Sequence, residues 1–287
     1  MANNTTPNHQ FKEILERVPT SPLSASLHDE KINGMKVTFL GTGTSMGVPV
    51  SGSFGREIPS GDFRDIRYRT SIWVQTDQSS ILIDAGPEFR LQSIRSGIRR
   101  IDLLLITHEH YDHIGGLDDL RPYNYMQKSA IPVITTPGCK ESIHRRYDYM
   151  FEPGKTPGSV DLNIETSSQV VQLNDCKITP IPVMHGHLKI YGFRINDLAY
   201  VTDASYIPEE SLKLIEGCKV LILNALRWEP KHPTHFTIPE AVEVAKKTGI
   251  PEVYFVHMSS YVYHEDTNLR LPNNMKLAYD QQVIYLK

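Results

Sequence analysis

Cysteine is scarce: Cys139, Cys176 and Cys218 are the only three in 287 residues. An odd, widely spaced set excludes a disulfide framework and a thiolate zinc knuckle, so all three are read as buried free thiols. Long apolar runs are missing as well. Nothing in the chain approaches the ~20 residues of a membrane span. Met1 to Asn8 is polar where a secretory signal would carry an apolar core, so a cytoplasmic protein is expected. Nor is there an excess of charge of one sign. The 30 basic and 33 acidic side chains leave a net charge of −3, which gives no general attraction to nucleic acid or anionic lipid. With thiolates out of play, any metal must be held by imidazole and carboxylate. That donor set suits zinc or manganese, with iron as a third option, rather than copper(I) or an iron–sulfur cluster.

What the chain does have is histidine in one telling place. His108-Glu109-His110-Tyr111-Asp112-His113 follows the aliphatic run Leu103 to Ile106 and precedes Gly115-Gly116. Four ligand-type side chains therefore sit where a buried strand ends, the position at which open α/β sheets place their chemistry. In a strand the first and third residues point the same way, and the tightening turn aims Asp112 and His113 at a second point nearby. One cluster can thus serve two metals.

Residues 1–34 are polar, contain Pro7, Pro19 and Pro22, and offer one short amphipathic stretch from Phe11 to Val18. They read as an N-terminal extension. The main domain, residues 35–287, opens with a strand from Lys36 to Leu40. Ser71–Thr76 and Ile81–Asp84 form an expected hairpin, followed by strands at Leu103–Thr107 and Val133–Thr136 and helices around Phe89–Ser96 and Lys140–Met150. Strands are expected again at Lys177–Met184, Tyr191–Ile195, Ala199–Thr202, Val220–Asn224 and Glu252–Val256. Thr237-Ile238-Pro239-Glu240 has capping-box spacing and opens a helix that stops at Gly249. Strands followed by helices in both halves argue for an α/β fold of four layers, two packed sheets with helices outside.

A two-metal site needs about six to eight ligands, more than one turn supplies. His185, Asp203 and His257 each follow directly on a β-rich run, Pro182–Met184, Tyr200–Thr202 and Val253–Val256 respectively. Singly each is an ordinary strand-end residue. Together, at matching positions, they complete the set.

Here the chain resembles the metallo-β-lactamase-fold hydrolases. The likeness covers nearly all of residues 35–287 and takes in five elements in order: Asp84 in Leu82–Gly86, the His-x-His-x-Asp-His run, His185, Asp203 and His257. It implies that His108, His110 and His185 bind one metal, that Asp112, His113 and His257 bind a second, and that Asp203 bridges them. Asp84 would orient the ligand loop from behind. An intact His110 separates the chain from flavodiiron oxidoreductases, which carry an acid there. Gly41–Ser45 with Gly47-Val48-Pro49, Tyr68–Ser71 and Gly116–Arg121 are similar to phosphodiesterases of the phosphoribosyl cyclic-phosphate type and, next, to tRNase Z. Such relatives often carry cysteines after Gly-Val-Pro for a structural zinc; Ser51–Gly55 has none, so a third metal is not expected.

The resemblance implies a hydrolase acting on a small cyclic or nucleotide-like phosphodiester through a hydroxide shared by two divalent metals, with Asp112 and His235 as the catalytic pair. Two metals lower the pKa of a shared water from about 15.7 towards 7. The leaving alkoxide needs an acid, and His235, in Thr234-His235-Phe236-Thr237, is the candidate. Imidazole populates both protonation states near neutrality, and the phosphodiesterase relatives place a proton-donating histidine there. His187 is expected to line the pocket, His232 and His264 to approach its mouth without an assigned role, and His9, His28 and His144 to lie on the surface. Arg69 and Arg121 could grip a phosphate; pairing of Arg69 with a carboxylate beneath its loop, and of Arg121 with Asp118 or Asp119, is the preferred reading. Gly41 and Gly43 fit either a phosphate cradle or tight packing.

Three other functions compete. An RNA 3′-end nuclease would need a protruding basic arm, and no Gly-rich basic insertion occurs between Ile131 and Lys177. A thioesterase or lactonase of the same fold has less need of a leaving-group acid. A non-catalytic nucleotide-binding module has no need of a full ligand set. A small-molecule partner is expected, with no membrane and no nucleic acid, and a homodimer is compatible with the sequence.

Overall fold

The computed structural model describes residues 32–53, 61–152, 154 and 158–287. The stretch Phe11–Val18 and most of the N-terminal extension lie outside the described residues, as do Phe54 and Gly55. The first half builds β1 (Met35–Gly41), β2 (Ser71–Gln75), β3 (Ser80–Ile83), β4 (Leu103–Leu105), β5 (Ile131–Ile134) and β6 (Leu162–Glu165). The second half builds β7 (Val171–Leu173), β8 (Cys176–His185), β9 (Leu188–Ile195), β10 (Leu198–Val201), β11 (Val220–Asn224), β12 (Glu252–Val256), β13 (Met275–Leu277) and β14 (Val283–Leu286). They pair as two sheets, β14-β1-β2-β3-β4-β5-β6 and β13-β12-β11-β10-β9-β8-β7. The expected hairpin is β2–β3, antiparallel with Ile72 opposite Ile83.

From β3 to β6 and from β10 to β13 the strands run parallel, and parallel neighbours need crossovers. Helices α1 (Phe89–Ser96), α2 (Tyr111–Ile114), α3 (Arg121–Gln127) and α4 (Pro137–Arg146) make them in the first sheet, and α5 (Glu209–Leu214), α6 (Ile238–Thr248) and α7 (His264–Arg270) in the second.

Side-chain alternation turns these elements into layers. On β2, Ile72 and Val74 join a core shared with Phe193, Tyr200 and Ile222 of the second sheet. Trp73, between them, points to the core under α1 and α4, with Phe89 and Ile143. On β10, Leu198 and Tyr200 face inward, whereas Ala199 and Val201 pack outward beneath Ile238 and Ala241 of α6. Three apolar interfaces separate four layers, which is the expected sandwich.

The ends of α6 are set locally. Thr237 Oγ1 accepts from the Glu240 backbone while Glu240 reaches back to the Thr237 N–H, and Gly249 closes the helix at φ 65°. Two helical boundaries differ from expectation. Thr136 caps α4 with Pro137 in its first turn, so that helix starts earlier than Lys140. It breaks at Tyr147 and resumes only as a short 3-10 turn, Asp148–Met150. Among the described residues no helix is long and apolar enough to cross a membrane.

Candidate metal centre

The side chains of interest cluster where β3, β4, β8, β10 and β12 end. Asp84 leaves β3 fully buried. Its Oδ1 accepts the Thr107 backbone N–H at 2.8 Å, and its Oδ2 lies 2.8 Å from His113 Nδ1. The Thr107 hydroxyl adds a donor at 3.0 Å. An ionised carboxylate only accepts, so His113 carries a proton on Nδ1 and turns Nε2 towards the centre, where a cation would take its lone pair. Thr107 Oγ1, having donated to Asp84, accepts from His108 Nδ1 at 3.0 Å. His185 Nδ1 lies 2.8 Å from the Thr234 carbonyl, which likewise can only accept. Three histidines thus present lone pairs on Nε2 to one region.

These lone pairs meet other acceptors. His113 Nε2 is 3.1 Å from Asp112 Oδ2 and 3.3 Å from Asp203 Oδ2. His257 Nε2 is 2.9 Å from Asp203 Oδ1. Nε2 of His108, His113 and His257 is buried without a hydrogen-bond partner. A divalent cation is what such a set fits, because it satisfies orphaned lone pairs and neutralises carboxylates together.

Atoms of His108, His110 and His185 lie within 4.8 Å of one another; so do those of Asp112, His113, Asp203 and His257, and those of His185, Asp203 and His235. Asp203 belongs to two of the three groups, as a residue between two metals would. All seven expected ligands and His235 are brought together. His235 Nε2 stands 3.0 Å from Asp203 Oδ1, its ring stacked on His257 and edge-on to His185.

Backbone geometry shows how tightly this is built. Asp84, Asp203 and His257 adopt φ of 61°, 57° and 62°, a left-handed region costing non-glycine residues roughly 1–3 kcal/mol each. A Cβ on Gly86 would sit 2.2 Å from the Asp112 carbonyl, and one on Gly116 2.1 Å from the Gly86 carbonyl. Those two glycines let the end of β3 slide beneath α2, where Ala85 N–H donates to His113 O and Gly116 N–H to Ala85 O.

The proton affinities follow from the crowding. Burial opposes charge on His113 and His257, yet Asp112 and Asp203 outweigh it, lifting His113 well above the usual range and His257 to about 9. Burial works against the Asp203 carboxylate too, and His257 and His113 overcome it and hold Asp203 well down. His108 is lowered by burial and by the neighbouring His113. Burial, reinforced by His257 and His185, brings His235 to about 4 against the pull of Asp203.

The remaining histidines divide. His232 meets His235, Nδ1 to Nδ1, at 3.1 Å. His187 is exposed at the β8–β9 turn rather than lining a pocket. His264 does not reach the mouth: it is buried at the start of α7, its N–H donating to Asp65 and its ring edge-on to Tyr279. His144 is exposed, stacked on Phe151. Arg69 pairs with Glu88 as expected and also holds the Ser45 carbonyl. Arg121 does not take Asp118, which instead accepts from the Tyr149 hydroxyl at 2.6 Å. Gly41 and Gly43 are explained by packing, since a Cβ would meet Arg69 O at 2.0 Å and Arg67 Cβ at 2.8 Å. No role was assigned from the sequence to Thr107, Thr234 or His232. Each acts through a partner, and a lone threonine or histidine in a loop carries no signal of one.

Comparison with known proteins agrees with this geometry. The β-lactamase superfamily domain matches residues 79–258. A solved structure described as a new diphosphatase from the PhnP family is 36% identical, with a TM-score of 0.81, covering 88% of this chain and 98% of that one. An octanoyltransferase of Porphyromonas gingivalis is 37% identical over 250 residues, 86% of this chain and 50% of that protein. A ribonuclease Z of Bradyrhizobium diazoefficiens is 28% identical over 161 residues, 55% of this chain and 48% of the enzyme. The chain spans about half the length of these last two relatives.

Proposed function

The chain belongs to the β-lactamase superfamily and is a metal-dependent hydrolase; on that premise we propose that it is a dinuclear phosphodiesterase of small cyclic or nucleotide-like substrates. The observation that carries the reading is His235 Nε2 at 3.0 Å from Asp203 Oδ1, an imidazole set beside the ligand shared by two groups of donors. Thioester and lactone hydrolysis asks less of such an acid, because thiolates leave easily and a lactone keeps its leaving group tethered. An alkoxide leaving phosphorus asks for one.

In this reading His108, His110 and His185 hold one cation and Asp112, His113 and His257 the other, with Asp203 between. The cations would neutralise phosphate charge and lower the pKa of an attacking water. The protein's own groups do the rest. Asp84 and Thr107 hold His113 and His108 in the liganding tautomer, and His235 supplies the proton for the leaving oxygen. Exposed Tyr111, Tyr206 and Tyr261 lie one, three and four residues beyond His110, Asp203 and His257. Aromatic faces so near the ligands suit a base or sugar attached to the phosphate.

Two relatives invite other readings. A nuclease gripping RNA needs basic surface, and the net charge of −3 supplies none overall. Octanoyl transfer belongs to a protein twice as long as the matched region. This chain brings no thiolate to the cluster: Cys139, Cys176 and Cys218 are buried, and burial raises each thiol, Cys139 to about 12.

Metal analysis after loading with Zn²⁺ or Mn²⁺ is expected to give two ions per chain, with metal and activity lost together in His110→Ala and Asp203→Ala. One ion or none in the loaded wild type would end the dinuclear reading. A panel of chromogenic phosphodiesters, thioesters and lactones is expected to favour the phosphodiesters; preference for a thioester or lactone would overturn the substrate class.

A further inference from the structure

We propose that Asp280 is a positioning residue for His257: through Thr42 it fixes the short strand, residues 42–44, that holds the backbone on which His257 turns towards the second metal. The inference deepens the dinuclear reading and rests on it.

The buried histidines of the cluster are not all held alike. Nδ1 of His113 meets Asp84, that of His108 meets Thr107 and that of His185 meets the Thr234 carbonyl. His257 has no such grip. Its Nδ1 is buried without a hydrogen-bond partner, and its Nε2 faces only Asp203 and Asp112, which belong to the cluster itself. The backbone that carries the ring must therefore aim it. At His257 that backbone is left-handed, φ 62°, a conformation that a residue with a Cβ keeps only where its surroundings impose it.

Two segments impose it. On one side Ser259 N–H donates to Leu226 O at 2.9 Å. On the other, Met258, the residue after His257, exchanges two hydrogen bonds with the turn that follows β1. Its N–H donates to Thr42 O and its O accepts from Thr44 N–H, each at 3.0 Å. Gly43, between them, pairs the opposite way: its N–H donates to Tyr68 O at 2.8 Å and its O accepts from Thr70 N–H at 3.1 Å. Residues 42–44 are thus a strand of three residues, with Met258 along one edge and Tyr68 to Thr70 along the other. A ladder so short is marginal by itself.

Asp280 supplies what the ladder lacks. It lies in the connection from β13 of the second sheet to β14 of the first. That connection is itself anchored to both sheets, with Ala278 N–H donating to Phe255 O at 2.9 Å and Gln281 N–H to Phe39 O at 2.7 Å. From this fixed point the carboxylate spans two strands of the ladder, accepting the Thr42 hydroxyl at 2.8 Å and the Tyr68 N–H at 2.7 Å. Thr42 is fully buried. Its hydroxyl is held by Asp280 and its carbonyl holds the residue after His257, so one side chain joins the carboxylate to the ligand. Without the carboxylate the ladder is free to shift, and a shift at Met258 swings an imidazole that has no side-chain partner outside the cluster. His108, His110 and His185 stand on other strand ends, so the first site is spared.

The test titrates Zn²⁺ calorimetrically into the full-length, chelator-stripped protein. Asp280→Ala removes both acceptors. Asp280→Asn keeps a carbonyl oxygen for Tyr68 N–H and offers an amide that can donate to Thr42 Oγ1. Thr42→Val keeps the shape of the threonine without its hydroxyl, and it serves where Asp280→Ala does not fold. Asp280→Ala is expected to weaken one of two zinc sites about tenfold or more, the scale on which partners behind a ligand act on metal affinity. The other site is expected to stay as it was. Thr42→Val is expected to weaken the same site, and Asp280→Asn to recover most of the affinity. In a His257→Ala background, which lacks a ligand of the second site, Asp280→Ala is expected to leave the remaining site unchanged. Equal weakening of both sites, no weakening in a folded Asp280→Ala or Thr42→Val, an Asp280→Asn as weak as Asp280→Ala, or a further loss in the His257→Ala background would overturn the proposal. Uptake of a single ion by the wild type would overturn the dinuclear reading as well, so the wild-type stoichiometry tells the two failures apart.

Discussion

Replacing His235 by alanine separates proton supply from metal binding. The ring touches Asp203 but is absent from the two groups that would form the metal sites. His235→Ala is therefore expected to keep both ions while slowing a poor leaving group about 10²–10⁴-fold, the scale of general acid catalysis. A nitrophenolate, which needs little protonation, is expected to suffer much less; equal losses would make His235 a substrate-positioning group. The ligands were legible from sequence because His108, His185, Asp203 and His257 each stand at the end of a β run, where a strand end aims a side chain out of the sheet, and His110, Asp112 and His113 follow His108 in one dense run. The groups that orient them were not. Thr107 acts on Asp84 across 23 residues and Thr234 on His185 across 49, so their roles exist only once distant strands lie side by side.

At the scale of elements, the capping box that opens α6 follows the His232–His235 loop directly. Thr237→Ala removes the hydroxyl that accepts from Glu240 N–H and is expected to cost about 1 kcal/mol of stability. Chemical denaturation would measure it; an unchanged midpoint would show that packing of Ile238 and Ala241, rather than the cap, fixes the helix start. The same contrast between local and distant cause explains what could be read of the fold. Helices α1 and α6 and strands β11 and β12 carry their signals within themselves. The four strands that sequence reading missed, β6, β7, β13 and β14, are the four sheet edges. Each has three or four residues. With a neighbour on one side only, an edge strand needs little apolar sequence: Leu162 and Ile164 are buried while Asn163 and Glu165 face water. It takes its conformation from the strand it joins.

At the scale of the whole molecule, β1 starts at Met35, and the residues before it are a separate question. Residues 1–34 carry none of the ligand motifs read in the sequence, and we propose that they are dispensable for chemistry. Protein beginning at Met35 is expected to retain kcat when metal-loaded; loss of turnover in folded, loaded protein would assign the extension a part in shaping the pocket. Chelation tests the other global feature. Cations that bind the folded state alone stabilise it by about 2.7 kcal/mol at a hundredfold excess over Kd. Their removal is therefore expected to lower Tm by several degrees, at about 2–4 °C per kcal/mol for a chain of this size. A Tm indifferent to chelator would mean that the cluster is held without them.

Asp84, His108, His110, Asp112 and His113 come from the first sheet, and His185, Asp203 and His257 from the second. Ions held by both would act as a clasp across the middle of the sandwich. Exchange of a bound ion for a free one would then wait on the breathing of the two sheets rather than on the breaking of single ligand bonds. Slow isotopic exchange of zinc should go together with slow deuterium uptake along β3, β4, β10 and β12, and both should quicken together when the clasp is undone.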